Sequence, residues 1–124
     1  MKITSKTIIH VDDDTLYLEF VHSILSPFHF VMRSCSAECL LDYLKCMYAD
    51  LIILDVEMPE MDGWETIKHL KRNDETKNIP VIFFSGSDSR EDIEKGLSLG
   101  AVDYITKPCL PNELIKRVHL QLHH

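Results

Sequence analysis

The chain has 124 residues and a mass of 14.4 kDa, which suits one domain with a single core and exceeds the size that depends on metals or disulfides for cohesion. Hydrophobic residues make up 45% and charged residues 27%, a soluble globular composition that excludes a disordered chain. The formal net charge of -7 argues against general attachment to nucleic acid or an anionic membrane surface, and the short apolar runs and MKITSKTIIH start support neither membrane insertion nor export, so a cytoplasmic location is expected.

In chain order, Thr7 to Val11 is a β-branched run that ends in Asp12, Asp13 and Asp14, and the following LYLEFVHSIL carries apolar residues at helical spacing. Pro27 ends that helix. Residues 28–35 suggest a second strand, after which Ser36 caps a helix to about residue 47. Residues 50–55 form a strand with a nearly continuous apolar interior, as in a parallel strand covered on both faces; a loop with Pro59 follows, then a helix over 63–73. A fourth strand, 79–85, tolerates Pro80 near its start, and SGSDS supplies a turn and cap before a helix over 90–99. Residues 101–105 form a short last strand, and a helix over 111–122 closes the chain.

Five strands alternate strictly with five helices, without an internal repeat or visible linker. The expected fold is therefore α/β: one domain over 1–124 with a doubly wound, five-stranded parallel sheet and helices on both faces. Ile93, Leu97, Leu114 and Val118 are expected mainly in the core, leaving the rest of the last two helices' face for a second copy. Cys35, Cys39, Cys46 and Cys109 have no CxxC spacing and read as free, packed thiols in a reducing compartment.

In such a sheet the functional crevice lies outside the carboxyl ends of the strands. The residues at those ends are Asp12 and Asp13, Asp55, Ser85, and Thr106 and Lys107. Carboxylates gathered at one rim repel one another unless a cation joins them, and hard oxygen donors suit Mg²⁺. Lys107 adds a second positive charge, and the Ser85 hydroxyl can donate to an anionic oxygen. Asp55, at the end of the stiff central strand, is the best-placed nucleophile for a phosphoryl group, and Gly86 leaves room for it. Taken singly these residues are more often caps, turn residues or surface lysines; their joint arrival at one rim carries the inference.

IIHVDDD, LIILDVEMPEMDGWE, IPVIFFSGSD and GAVDYITKP, in this order and spacing, resemble the receiver domain of two-component response regulators over essentially the whole chain. The resemblance implies a flavodoxin-like receiver fold. It implies that Asp55 accepts a phosphoryl group from a sensor histidine kinase or a histidine phosphotransfer protein, and that Asp12, Asp13, Asp55 and the backbone carbonyl of Glu57 hold Mg²⁺, with Mn²⁺ as a substitute. By the same resemblance Lys107 ion-pairs with the phosphoryl group, Ser85 follows it, Tyr104 couples to Ser85 as the aromatic switch, and Pro108 follows a peptide that is often cis.

Glu57 and Ser87, two residues beyond Asp55 and Ser85, are placed to modulate phosphoryl lifetime, and Gly86 loosens the switch loop. His10 is read as a core or pocket-wall imidazole. The implied product is a phosphorylation-controlled switch rather than a turnover enzyme. It acts on a downstream effector or attached domain, with a homodimer through the helix 4, strand 5 and helix 5 face as a further outcome. No output domain is expected within the 124 residues. The rival readings are a receiver-like interaction module independent of phosphorylation, disfavoured because no required group is missing, and a small Mg²⁺-dependent phosphohydrolase, disfavoured because no cap or long loop offers a substrate pocket.

Overall fold

The computed structural model describes residues 4–123, so residues 1–3 and His124 of the expected domain lie outside the described residues. The elements run β1 (Thr7–Val11), α1 (Thr15–Leu25), β2 (Phe30–Ser34), α2 (Ala37–Leu44), β3 (Leu51–Leu54), α3 (Gly63–Arg72), β4 (Val81–Ser85), α4 (Arg90–Ser98), β5 (Asp103–Thr106) and α5 (Pro111–Leu122). The strands form one parallel sheet in the order β2-β1-β3-β4-β5. The winding direction reverses between β1 and β3, so these two strands lie side by side at the centre and open a crevice at their carboxyl ends.

Successive side chains in a strand point to opposite faces, and both faces of this sheet are covered. Ile9, Ile52, Leu54, Val81 and Phe83 pack on one side, and Ile8, Ile53, Ile82, Phe84 and Ile105 on the other. The residues of β3, LIIL, are fully buried, each contributing on the order of 1.5–3 kcal/mol by leaving water. Central placement and burial make β3 a rigid support for the residue that follows it.

Helix starts follow the capping rules. Asp14 accepts from the Leu16 N–H, Ser36 from Cys39, Asp62 from Glu65 and Ser89 from Asp92, while α5 begins with Pro111 and no side-chain cap. Several expected boundaries are corrected. Residues 28–29 do not open β2, because the Phe28 and His29 N–H groups turn back to the Leu25 carbonyl at the end of α1. Helix α2 stops at Leu44 rather than near residue 47, since the N–H of its C-cap, Lys45, bonds the carbonyls of Asp42 and Tyr43. Strands β4 and β5 begin two residues later than expected, and α3 and α4 each end one residue earlier.

Leu97 is 46% exposed rather than in the core; the buried position of α4 is Gly96, where a Cβ would lie 3.0 Å from the Phe83 ring and 3.1 Å from the Tyr104 ring, so a side chain there would have to push the rings aside. Cys35 and Cys46 are exposed rather than packed, because both lie just beyond the regular elements; all four cysteines are free.

At the amino-terminal pole, buried His29 accepts the Lys6 N–H at Nδ1 and meets the His119 ring edge-on at 4.9 Å. Burial, helped by the neighbouring His119 and His123, lowers its pKa to about 4. Between pH 6.5 and 4 the unfolded chain therefore binds a proton that the folded chain does not, so this residue costs stability as pH falls. The stability of His29→Gln relative to wild type is expected to rise as pH falls through that window, as measured by urea melts; a pH-independent difference would contradict it.

Candidate phosphoryl-acceptor site

The sheet register builds the site. Val11 pairs with Leu54, and the Asp55 N–H bonds the Val11 carbonyl at 3.0 Å, so Asp12 and Asp55 emerge together from β1 and β3. Asp12 accepts the Asp14 N–H, and Asp14 rather than Asp12 or Asp13 caps α1. The capping role of the acidic run thus falls on its last member. One carboxylate oxygen from each of Asp12, Asp13 and Asp55 lies within 4.8 Å of the others, the one such cluster of His, Cys, Asp and Glu side chains among the described residues.

From the β5 side, the Lys107 ammonium lies 2.7 Å from Asp12 Oδ2 and 3.3 Å from Asp55 Oδ2. Its Nζ also lies over two aromatic rings, 4.2 Å from the Tyr17 centroid and 5.5 Å from that of Phe84, which helps to fix the charge at the site. Burial draws the Lys107 pKa down, but its hydrogen bond to Asp12 and the charges of Asp55 and Asp12 outweigh that and raise it, so the ammonium is permanent. Asp55 is pushed up to about 6, first by burial and then by Asp12, against the opposite pull of Lys107 and of a hydrogen bond from the Glu57 backbone. The peptide between Lys107 and Pro108 is cis.

Above these groups is an open cleft of about 740 Å³ whose lining carries Asp13, Asp14, Asp55, Glu57, Asp62 and Asp92 against a single ammonium, Lys107. Such a wall favours a cation. The acidic cluster is also of the right kind for Mg²⁺, which takes a few carboxylate oxygens and keeps waters in its remaining positions. A dication there would offset the Asp12 charge, which adds to burial in raising Asp55.

The structure brings Asp12, Asp13, Asp55 and Lys107 together. Glu57, Gly86 and the β3–α3 loop line the same cleft. Ser85 is nearby but wholly buried, with its Oγ 3.4 Å from the Ser87 N–H, and it does not line the cleft. Tyr104 is buried too, and its hydroxyl donates to the Ser87 carbonyl at 2.8 Å. His10 is fully buried beneath the site; both ring nitrogens lack a hydrogen-bond partner, and burial and then Lys107 lower its pKa to about 3, which agrees with a neutral wall residue.

Three contributors escape the sequence reading. Gly63 starts α3 where a Cβ would lie 2.3 Å from the Asp55 carbonyl oxygen and 2.7 Å from Val56 Cα. Its one signal in the sequence is a poor helix former at a helix start. Trp64, the single tryptophan, lines the cleft, packs on Phe83 with ring centroids 5.1 Å apart, and carries the Lys95 ammonium 4.7 Å from its ring. Asp92 reaches the cleft from α4, and its helical position in the sequence reads as an ordinary solvated acid.

Comparison with known proteins places this geometry in context. The model of the response regulator receiver domain matches residues 8–119. A probable cyclic di-GMP phosphodiesterase of Vibrio cholerae is 40% identical over 116 residues, which cover 94% of this chain and 26% of that protein. The phosphate regulon transcriptional regulatory protein PhoB of Escherichia coli is 36% identical over 115 residues, covering 92% of this chain and 50% of that protein. The chain spans half or less of the length of these curated relatives. Among solved structures, the BeF₃-activated DrrB receiver domain superposes with a TM-score of 0.88 at 29% identity, covering 98% of this chain and all of that one. The chemotaxis protein CheY4 of Vibrio cholerae gives a TM-score of 0.89 at 26% identity, covering 96% of this chain and 100% of its own.

Proposed function

Because the chain belongs to the response regulator receiver domain family, a family of two-component signalling, we propose that Asp55 is its phosphoryl acceptor and that Asp12, Asp13, Asp55 and the Glu57 backbone carbonyl hold Mg²⁺. The observation that carries this reading is the bridging of Asp12 and Asp55 by the Lys107 ammonium at the rim where the three carboxylates meet. When bound, the dication neutralises charge on the transferring phosphoryl oxygens. Mn²⁺, which shares the preference for carboxylate and water oxygens, substitutes for it.

The residues of the chain do the rest. Attack requires an ionised Asp55, and with its pKa near 6 the carboxylate is mostly anionic at neutral pH. Its oxygen forms the new bond to phosphorus while the bond to the donor's imidazole nitrogen breaks, and that nitrogen departs with the bond's electron pair, giving neutral imidazole because the other ring nitrogen of the donor already carries the proton. Lys107 faces the charge that spreads over the phosphoryl oxygens, β3 holds the nucleophile fixed, and Ser85 turns to donate its hydroxyl proton. Glu57 and Ser87 border the path by which water reaches the product. The change at Ser85 passes to Tyr104 through Ser87 and so to the α4, β5 and α5 face.

The phosphodonor is a histidine kinase or a histidine phosphotransfer protein, and the output is an effector or attached domain, or a second copy docking on that face. Nothing in the geometry favours a phosphohydrolase or a phosphorylation-independent module. No helix of the described residues is long and apolar enough to cross a membrane.

Trp64 in the cleft wall makes metal binding measurable by fluorescence. Asp13→Asn is expected to weaken Mg²⁺ binding by more than ~tenfold, the scale on which even outer-shell partners act. Binding by the wild type should weaken as pH falls through 6, because protons compete for Asp55. A titration with Mg²⁺ that is indifferent to both Asp13 and pH would overturn the metal assignment.

A further inference from the structure

The hydrogen bonds that hold the segment 86–88 between β4 and α4 converge on one residue, Ser87. A Cβ at Gly86 would meet nothing within 4 Å, so no packing presses the segment against the body of the protein. Ser87, in contrast, is held at four points, the weakest of them its hydroxyl against the Ser89 hydroxyl at 3.4 Å. Its N–H reaches Ser85 Oγ at 3.4 Å, its carbonyl accepts the Tyr104 hydroxyl at 2.8 Å, and its hydroxyl donates to Asp92 Oδ2 at 2.6 Å. The last is the shortest and the only one to a charged group, which makes it the strongest of the four. Asp92 is itself fixed, because its N–H is bound by the α4 cap Ser89 at 3.2 Å.

This arrangement opposes the motion that the proposed function requires, and the inference rests on that function. Ser85 is fully buried with its oxygen beside the Ser87 N–H, while Gly86 lines the cleft in its place. For the Ser85 hydroxyl to reach a phosphoryl group on Asp55, the segment must move toward the cleft, and the Ser87 to Asp92 bond resists it. We propose that Asp92 is a positioning residue, a latch that holds the β4–α4 segment open through the Ser87 hydroxyl and thereby sets how readily the phosphorylated form is reached. It acts through Ser87 and touches no reacting atom.

Two effects of Asp92 can be separated. Its carboxylate also adds negative charge to the cleft wall, so removing it could ease the approach of any anion. Ser87→Ala breaks the bond, together with the longer contact to the Ser89 hydroxyl, and keeps the charge, whereas Asp92→Asn removes the charge and keeps an oxygen that accepts the Ser87 hydroxyl.

The experiment measures beryllofluoride affinity by Trp64 fluorescence at saturating Mg²⁺, and phosphorylation rate with acetyl phosphate, in wild type, Ser87→Ala, Asp92→Ala and Asp92→Asn, each checked by thermal melting. The expected result is binding about five- to tenfold tighter in both alanine variants, the range of one net hydrogen bond, with Asp92→Asn, which keeps a neutral and weaker bond, between wild type and Asp92→Ala. Unchanged or weaker binding in folded Ser87→Ala overturns the latch, and so does an Asp92→Asn that matches Asp92→Ala, which would assign the effect to charge. Failure of wild type itself to bind beryllofluoride is a different result: it removes the phosphoryl-acceptor reading, and the latch with it.

Discussion

Asp55→Asn is expected to abolish phosphoryl uptake from acetyl phosphate altogether, because an amide oxygen is not a nucleophile at phosphorus and no second carboxylate occupies the end of β3. The same change should make the metal-free protein more stable at neutral pH. Asp55 has a folded pKa raised to about 6, so the folded state binds more protons than the unfolded one between the ordinary carboxylate value and 6. Stability is therefore lost as pH rises through that window, and the full cost stands at pH 7. Removing the charge should recover on the order of 1 kcal/mol once solvent screening in the open cleft is allowed for. Intact mass and chelator-treated thermal melts check the two halves. A variant that takes up phosphoryl or melts below wild type in chelator would contradict this account of Asp55.

Gly63→Ala is expected to damage both fold and site. The new methyl would fall 2.3 Å from the Asp55 carbonyl oxygen and 2.7 Å from Val56 Cα, and these are backbone atoms that no rotamer change can move aside. The Gly63 N–H also bonds the Val56 carbonyl at 2.7 Å, so the loop returns tightly onto the end of β3. Separating them should cost about 3 kcal/mol, toward the upper end for overpacking, and should displace the Asp55 carboxylate from Lys107. Urea melts give the first quantity, and Mg²⁺ affinity of the folded fraction gives the second. Gly86→Ala is the contrast: its Cβ meets open space, and stability should change by less than about 0.5 kcal/mol.

Much of this was legible in the sequence because local rules and the global fold agree. The apolar runs LIIL and VIFF read directly as buried parallel strands, Ser36 announces the start of α2, and the acidic and basic residues that end strands must share one rim of a parallel sheet. Asp12, Asp13, Asp55 and Lys107 follow from that placement alone. What stayed hidden depends on distances between elements that lie far apart in the chain or on the exact turn of a helix. Gly63 matters through an approach to backbone eight residues back, and Leu97 is exposed because Gly96 takes the inward position beneath Tyr104. The Ser87 to Asp92 bond depends on how α4 is capped, which the string SGSDS suggests in kind but cannot specify in partners. Boundaries shifted where turns reuse a helix's last carbonyls, as after Leu25 and Leu44.

The most direct test of the central claim is to treat the protein with acetyl phosphate with and without Mg²⁺, reduce it with borohydride, and map the product by tandem mass spectrometry. Borohydride converts the acyl phosphate of an aspartate to homoserine and so marks the carboxylate that carried the phosphoryl group. The predicted result is homoserine at position 55 alone, only in the Mg²⁺-containing sample. Homoserine at another aspartate, or none in a folded and Mg²⁺-saturated sample, would contradict the assignment of Asp55.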